Sequence, residues 1–283
     1  MARRKASNGD KRRPKRRNPL VELGRFWPSA PTRRRFVRRF RSTPPAVQLT
    51  VVSVVFVVLF LAVNWSYQVV RKPSELFFPI SGQFYKGPPE TWAAYGAVFE
   101  RHSTSVMTPD LLAALAQVEG SGNPIVRTYW RFSLTSEPFE IFRPASSAVG
   151  MYQITDGTFA ESRHYCIHDH AVASDDAPWY SLRGCWFNSL YMRTVPSDAI
   201  ELTSAYLDRR VGEALRSRQQ APALREKQRL AALIHLCGPG VAGPFVRRGF
   251  APAPGQLCGT HDVRAYLERV ESMEKKFAAL AAR

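Results

Sequence analysis

Eighteen consecutive residues, Ala46 to Val63 (AVQLTVVSVVFVVLFLAV), carry no charge and only three polar side chains, Gln48, Thr50 and Ser53. Extended to Val70, the run is long enough to cross a hydrocarbon core of roughly 30 Å at about 1.5 Å per residue. Its many valines favour strands in water, but in lipid a helix satisfies its own backbone groups. The sequence therefore predicts one transmembrane helix over 46–70, with Trp65 and Tyr67 at the position of an interfacial aromatic belt. Everything else in the chain has to be arranged around that segment.

The formal net charge of +17 is unevenly spread. Between Met1 and Pro45 stand sixteen Lys and Arg against Asp10 and Glu22, so this arm carries +14 and the remainder is nearly balanced. An arm so charged and so rich in proline buries little apolar surface, and residues 1–45 are expected to be a disordered cytoplasmic extension. Nonspecific nucleic-acid binding is the other use of such a charge run, but the adjoining span explains it better. The Arg33–Arg41 cluster abuts the N-terminal end of the span, whereas only Arg71 and Lys72 follow it. That asymmetry predicts an N-terminus in the cytoplasm and the bulk of the chain outside the cytoplasmic membrane. An uncleaved anchor is favoured over a signal peptide, because the basic region is long and no small-x-small cleavage site follows.

All four cysteines, Cys166, Cys185, Cys237 and Cys258, lie beyond the span, where an oxidising compartment permits disulfides. Three pairings are open; neighbour pairing, Cys166–Cys185 and Cys237–Cys258, closes short loops. Residues 71–88 contain Pro and Gly at irregular intervals and read as a linker. Beyond it, 89–283 reads as one mainly helical domain. Helices are predicted over Glu90 to His102, from Thr108-Pro109-Asp110 to Gly120, from near Asp156, over Ser197 to Arg216, over Leu224 to Leu236, and from Asp262 onward. Thr108 and Asp156 are the expected N-caps. Residues 125–145 are aromatic-rich and irregular. His164, Cys166, His168, Asp169 and His170 are metal-ligand types, but their spacing fits no standard zinc pattern, and a disulfide-tethered loop is the expectation. No metal or cofactor is predicted.

Glu119 ends the apolar stretch Leu111-Leu112-Ala113-Ala114-Leu115-Ala116-Gln117-Val118, followed by Gly120-Ser121-Gly122-Asn123-Pro124. A carboxyl at the negative end of a helix dipole and partly buried is expected to hold its proton more tightly, which suits a general acid. The stretch ALAQVEGSGNP resembles the motif of the lytic transglycosylase family, in which the catalytic Glu closes a helix. Four further segments follow in that family's order. Ser147 to Ile154 resembles its Gly-Ala-x-Gly-Leu-Met-Gln segment; Val195 to Leu207, with Tyr206, its Pro-x-x-Asn-Ile … Tyr-Leu helix. Gly238-Pro239-Gly240 resembles the end of its Ala-Gly-x-Gly helix, and THDVRAYLERV, Thr260 to Val270, its closing helix.

This resemblance, over roughly 108–272, implies a lysozyme-like fold behind a single membrane anchor. It also implies cleavage of the bond between N-acetylmuramic acid and N-acetylglucosamine in peptidoglycan glycan strands. Glu119 would act first as acid and then as base on the sugar's own 6-hydroxyl, leaving a 1,6-anhydro end without hydrolysis. Ser147, Gly150, Tyr152, Gln153, Tyr206 and His235 are the residues implied at the substrate. No second carboxylate is required, unlike the usual glycosidase scheme; Glu137, Glu140, Asp156 and Glu161 are the nearest candidates for one. His235-Leu236 stands where the family has Tyr-Asn. That departure favours a second reading, a peptidoglycan-binding or scaffold protein with partners in a cell-envelope machine. A hydrolytic lysozyme on the same fold is the third.

Overall fold

The computed structural model describes residues 30–77, 79–174, 184–216 and 220–283. It divides into two compact units, Met1–Val63 and Asn64–Arg283. In the first, helix α1 (Ala30–Arg41) precedes helix α2 (Pro45–Arg71), whose last two turns belong to the second unit. The basic arm is thus helical where it nears the span, a correction to the disorder expected up to residue 45; residues 1–29 lie outside the described ones. Arginine is a good helix former, and Phe36 stacks on Phe40 one turn later, ring centroids 6.5 Å apart. The α2 helix is long and apolar enough to cross a membrane.

The second unit is mainly helical. Its helices are α3 (Pro88–Arg101), α4 (Pro109–Gly120), α5 (Asp156–Ser162), α6 (Pro196–Leu215), α7 (Leu224–Cys237), α8 (Ala242–Arg247) and α9 (Val263–Ala281). Three short antiparallel hairpins decorate them: β1 (Trp130–Phe132) with β2 (Phe142–Pro144), β3 (Tyr165–His168) with β4 (Ala171–Ser174), and β5 (Leu257–Cys258) with β6 (His261–Asp262). These strands are too short to announce themselves by alternation.

Helix α4 is the centre. Leu111 through Ala116 are all buried, and a helix apolar on every side has to be covered on every side. Its most extensive partner is α9, followed by α3. Met107, Tyr152, Ile200, Leu207, Leu230, Leu233, Leu267 and Phe277 complete the core around it. Pro109 sits in the first turn of α4, where its missing N–H costs nothing. Thr108 holds the N-cap position, but its hydroxyl accepts from Gln228 Nε2 at 3.0 Å instead of capping the helix. At the other end Ser121 turns left-handed, φ 48°, and the Gly122 N–H returns to the Ala116 carbonyl at 3.2 Å.

Residues 71–88 are not a free connector. They form two 3₁₀ turns, Pro73–Phe77 and Ser81–Phe84, and they are laced to the end of α4. Asn123 Nδ2 donates to the Ser81 carbonyl at 2.7 Å and Gln117 Nε2 to the Lys86 carbonyl at 3.0 Å. Glu75 is fully buried, paired with Lys72 at 3.4 Å and Arg127 at 3.2 Å, and accepts from the Trp130 indole at 2.9 Å. A buried charge persists only when paired in this way. Helix α5 also differs from expectation in its start: Thr155, not Asp156, is the N-cap, its hydroxyl accepting from the Thr158 N–H.

Candidate active site

Glu119 occupies the last turn of α4, and its side chain is 19 % exposed. Two helices bring polar groups to it. From α9, the Tyr266 hydroxyl donates to Glu119 Oε1 at 2.5 Å. From α7, His235 Nε2 lies 3.8 Å from the same oxygen. Oε2 makes no hydrogen bond among the described residues. One oxygen of the carboxylate is thus fixed and the other is unclaimed.

Burial holds the His235 imidazole below its ordinary pKa, outweighing the neighbouring Glu119 and a hydrogen bond with the Tyr152 backbone. At neutral pH the ring therefore faces the carboxylate uncharged, and 3.8 Å is too long for a hydrogen bond. Burial, reinforced by Glu119, also raises the Tyr266 hydroxyl well above its usual value, so it remains a donor throughout the accessible pH range. Tyr266 lies within the segment that resembles the family's closing helix, yet nothing in the local sequence marks it as a partner of Glu119. The signal is a tyrosine three residues into a helix, on the same buried face as Val263, Leu267 and Val270.

The Val149–Ile154 turn closes the site from below. Gly120 packs directly onto it: a Cβ there would stand 2.8 Å from the Met151 Cα and carbonyl oxygen, which is why glycine follows Glu119. Gly150 has φ 79°, and a Cβ on it would meet the Arg193 carbonyl at 2.2 Å. Tyr152 is fully buried against α4, its hydroxyl donating to the Leu112 carbonyl at 3.0 Å, and its ring meets His235 edge-on with centroids 6.4 Å apart. It positions the histidine from within the core.

The other residues implied at the substrate are engaged within the protein. Gln153, at φ 48°, donates its amide to the Gly150 carbonyl at 3.0 Å. The Ser147 hydroxyl accepts from the Asp156 N–H at 3.1 Å and so anchors α5. Tyr206 is buried in α6 with the Arg210 guanidinium 5.6 Å from its ring centre. Three carboxylates considered as a second acid are ion-paired: Glu140 with Arg71 and Arg143, Asp156 with Arg193, and Glu161 with Arg210.

The two disulfides join Cys166 to Cys185 and Cys237 to Cys258. The second ties the end of α7, two residues beyond His235, to β5 just ahead of α9, and so links the two helices that carry the partners of Glu119. The histidine-rich stretch is the β3–β4 hairpin, with Asp169 and His170 at positive φ in its turn. No family model matches the chain, and no curated protein sequence matches it.

Proposed function

We propose that the chain is a membrane-anchored, lysozyme-like peptidoglycan lytic transglycosylase in which Glu119 is the acid and then the base. The observation that carries this reading is the asymmetric carboxylate, one oxygen held by Tyr266 and the other unclaimed. A general acid must present one oxygen to its substrate in a fixed direction, and a hydroxyl bound to the opposite oxygen supplies that constraint without competing for the proton.

In the proposed reaction, Glu119 Oε2 carries the proton and delivers it to the glycosidic oxygen as the bond to the muramic-acid carbon breaks. The electron pair leaves with the N-acetylglucosamine hydroxyl. The same oxygen, now unprotonated, takes the proton of the muramic acid 6-hydroxyl as that oxygen closes on the anomeric carbon. The anhydro sugar departs and Glu119 is regenerated protonated. Neutral His235 borders the carboxylate without forming an ion pair that would trap it as an anion. The replacement of Tyr-Asn by His235-Leu236 fits this arrangement, since Tyr266 already supplies the hydroxyl. With α2 crossing the cytoplasmic membrane and its basic flank inside, the domain works on the wall from the outer face of that membrane, where disulfides persist.

The test is digestion of purified sacculi by the full chain in detergent, with the products identified by mass spectrometry. Anhydro ends that vanish in Glu119→Gln are the expected result. Reducing ends would replace the transglycosylase by a hydrolase. Sacculus binding with no cleavage by the unaltered chain would replace it by a binding or scaffold protein.

A further inference from the structure

The last turns of α2 and the β1–β2 hairpin are fastened together, and the fastening creates a cationic cleft for which the glycan chemistry has no use. Asn64 Nδ2 donates to the Phe142 carbonyl at 2.6 Å and Gln68 Nε2 to the Phe139 carbonyl at 2.7 Å. Phe139 stacks on Tyr67, centroids 4.8 Å apart. Beside these contacts lies a cleft of about 190 Å³ whose charged lining is Arg71, Lys72, Arg131, Arg143, Glu140 and Asp156.

The charges in this cleft are out of balance. Both acids are already committed, Glu140 to Arg71 and Arg143, and Asp156 to Arg193. Arg131 stands directly opposite Arg143 in the β1–β2 register, and like charges facing one another across a ladder are destabilising. The Arg131 guanidinium is exposed and has no hydrogen-bond or ion-pair partner among the described residues. The Nε of Arg143 is buried without a hydrogen bond. Lys72 is buried, paired with Glu75 at 3.4 Å, and donates to the Ser146 carbonyl at 3.2 Å, which leaves Arg131 as the unmatched cation of the lining. An anion between the two arginines would offset that repulsion.

Position and surroundings select the anion. At about 1.5 Å per residue a helix as long as α2 matches a bilayer with its headgroup layers, so Gln68 and Arg71 fall at headgroup depth. The same hairpin leaves Phe132 and Leu134 67 % and 86 % exposed, as suits side chains that enter the interface between headgroups and acyl chains.

We propose that this cleft binds the phosphate of an anionic membrane lipid, with Arg131 and Arg143 as its ligands and Phe132 and Leu134 in the lipid interface. This rests on the reading of α2 as a membrane span but not on the transglycosylase reading. Lipid clasped there holds the β1–β2 hairpin at the membrane surface.

The experiment titrates the full chain, in neutral detergent, with phosphatidylglycerol and with phosphatidylcholine of the same acyl chains, and counts bound lipids by native mass spectrometry. The expected result is preferential binding of the anionic lipid, reduced about fivefold in Arg131→Gln and about thirtyfold in the Arg131→Gln, Arg143→Gln double variant. Arg131 is exposed, so the single variant keeps its fold even where the double one does not. A preference that survives both variants and disappears on deleting residues 2–29 would assign lipid binding to the basic arm and overturn the proposal. Competition by inorganic phosphate as effective as by lipid would make this a free-phosphate site and overturn it too. Alkaline extraction of the chain from membranes would defeat the span itself. An extraction-resistant chain without anionic preference would defeat the cleft alone.

Discussion

Two Glu–His–Tyr constellations stand among the described residues, and they differ in how fully the carboxylate is engaged. Around Glu201, the Tyr191 hydroxyl donates to Oε2 at 2.8 Å and His102 Nδ1 lies 3.4 Å from the same oxygen, while the Ile167 N–H donates to Oε1 at 3.0 Å. The other ring nitrogen of His102 meets Ser197 Oγ at 3.1 Å. Each carboxylate oxygen has a donor, and the side chain is 8 % exposed. Around Glu119 the tyrosine and histidine converge on one oxygen, the other is unclaimed, and exposure rises to 19 %. In both, burial lowers the histidine and raises the tyrosine. Residue type and titration therefore do not separate them; the unclaimed oxygen does. The Glu201 group fastens β3 to α6 and the end of α3, whereas the Glu119 group leaves one oxygen without a partner among the described residues.

The sharpest way to break this comparison is to exchange the consequences of two substitutions. Glu119→Gln should lower anhydro-product formation by about a thousandfold or more, the scale of a lost general acid, with its urea unfolding curve nearly superimposable on that of the parent. A variant that retained a tenth of the rate would remove Glu119 from the chemistry. Glu201→Ala should do the reverse. It leaves the partly buried Tyr191 hydroxyl and Ile167 N–H without their acceptor, costing about 2 kcal/mol, and the rate per folded molecule should be preserved. A parallel loss of activity at full stability would mean that the closed constellation is functional after all.

How far each constellation could be read in the sequence follows from how local its determinants are. The α4 helix is written in adjacent residues: Pro109 and Asp110 open it, six apolar residues fill it, and Ser121-Gly122 end it. Glu119 at its close stands out for that reason. Its hydrogen-bond partners do not. Tyr266 is 147 residues away from Glu119 and Gln228 is 120 from Thr108, separations at which no local pattern operates. Thr108 was a sound N-cap by type, yet a distant amide captured its hydroxyl. Gln153, with its left-handed backbone, turns its amide onto the Gly150 carbonyl of its own loop, an engagement the residue type does not announce. Glu75 lies in a Pro- and Gly-containing stretch of linker composition, and its burial depends on Arg127 and Trp130 arriving from beyond α4.

Tyr266→Phe sharpens the comparison from within the open site. It deletes the one hydrogen bond that fixes Oε1 and leaves the ring, which packs in the core, in place. A charge-assisted bond of this kind contributes about 2 kcal/mol, so a rate loss of about thirtyfold is expected. Because the carboxylate remains, the products should still carry anhydro ends. Thermal unfolding should shift far less than in Glu201→Ala, since Phe leaves no buried donor unpaired. If Tyr266→Phe instead matched the parent in rate, the fixed oxygen would be irrelevant and the asymmetry only a consequence of packing.

Glu274 supplies the opposite limit, a half-buried carboxyl with acidic neighbours in place of donors. Burial, then Asp110 and Glu271, push it up to about 7 from 4.5, against the weaker pull of Arg225 and Lys275. A carboxyl raised on folding stabilises most when both states are protonated, below about 4.5, and that contribution is lost as pH rises through about 7. Glu274→Gln removes the titration and retains the shape. The variant should therefore match the parent near pH 4 and exceed it by about 1 kcal/mol at pH 8, after allowance for solvent screening. His102 and His235, both lowered by burial, act in the other direction, their contribution declining as pH falls below 6.5; the difference between parent and variant cancels them. Urea denaturation at the two pH values decides the matter. A pH-independent difference would show that the acidic neighbours leave Glu274 alone, and that donors, not burial, are what distinguish the carboxylates of this protein.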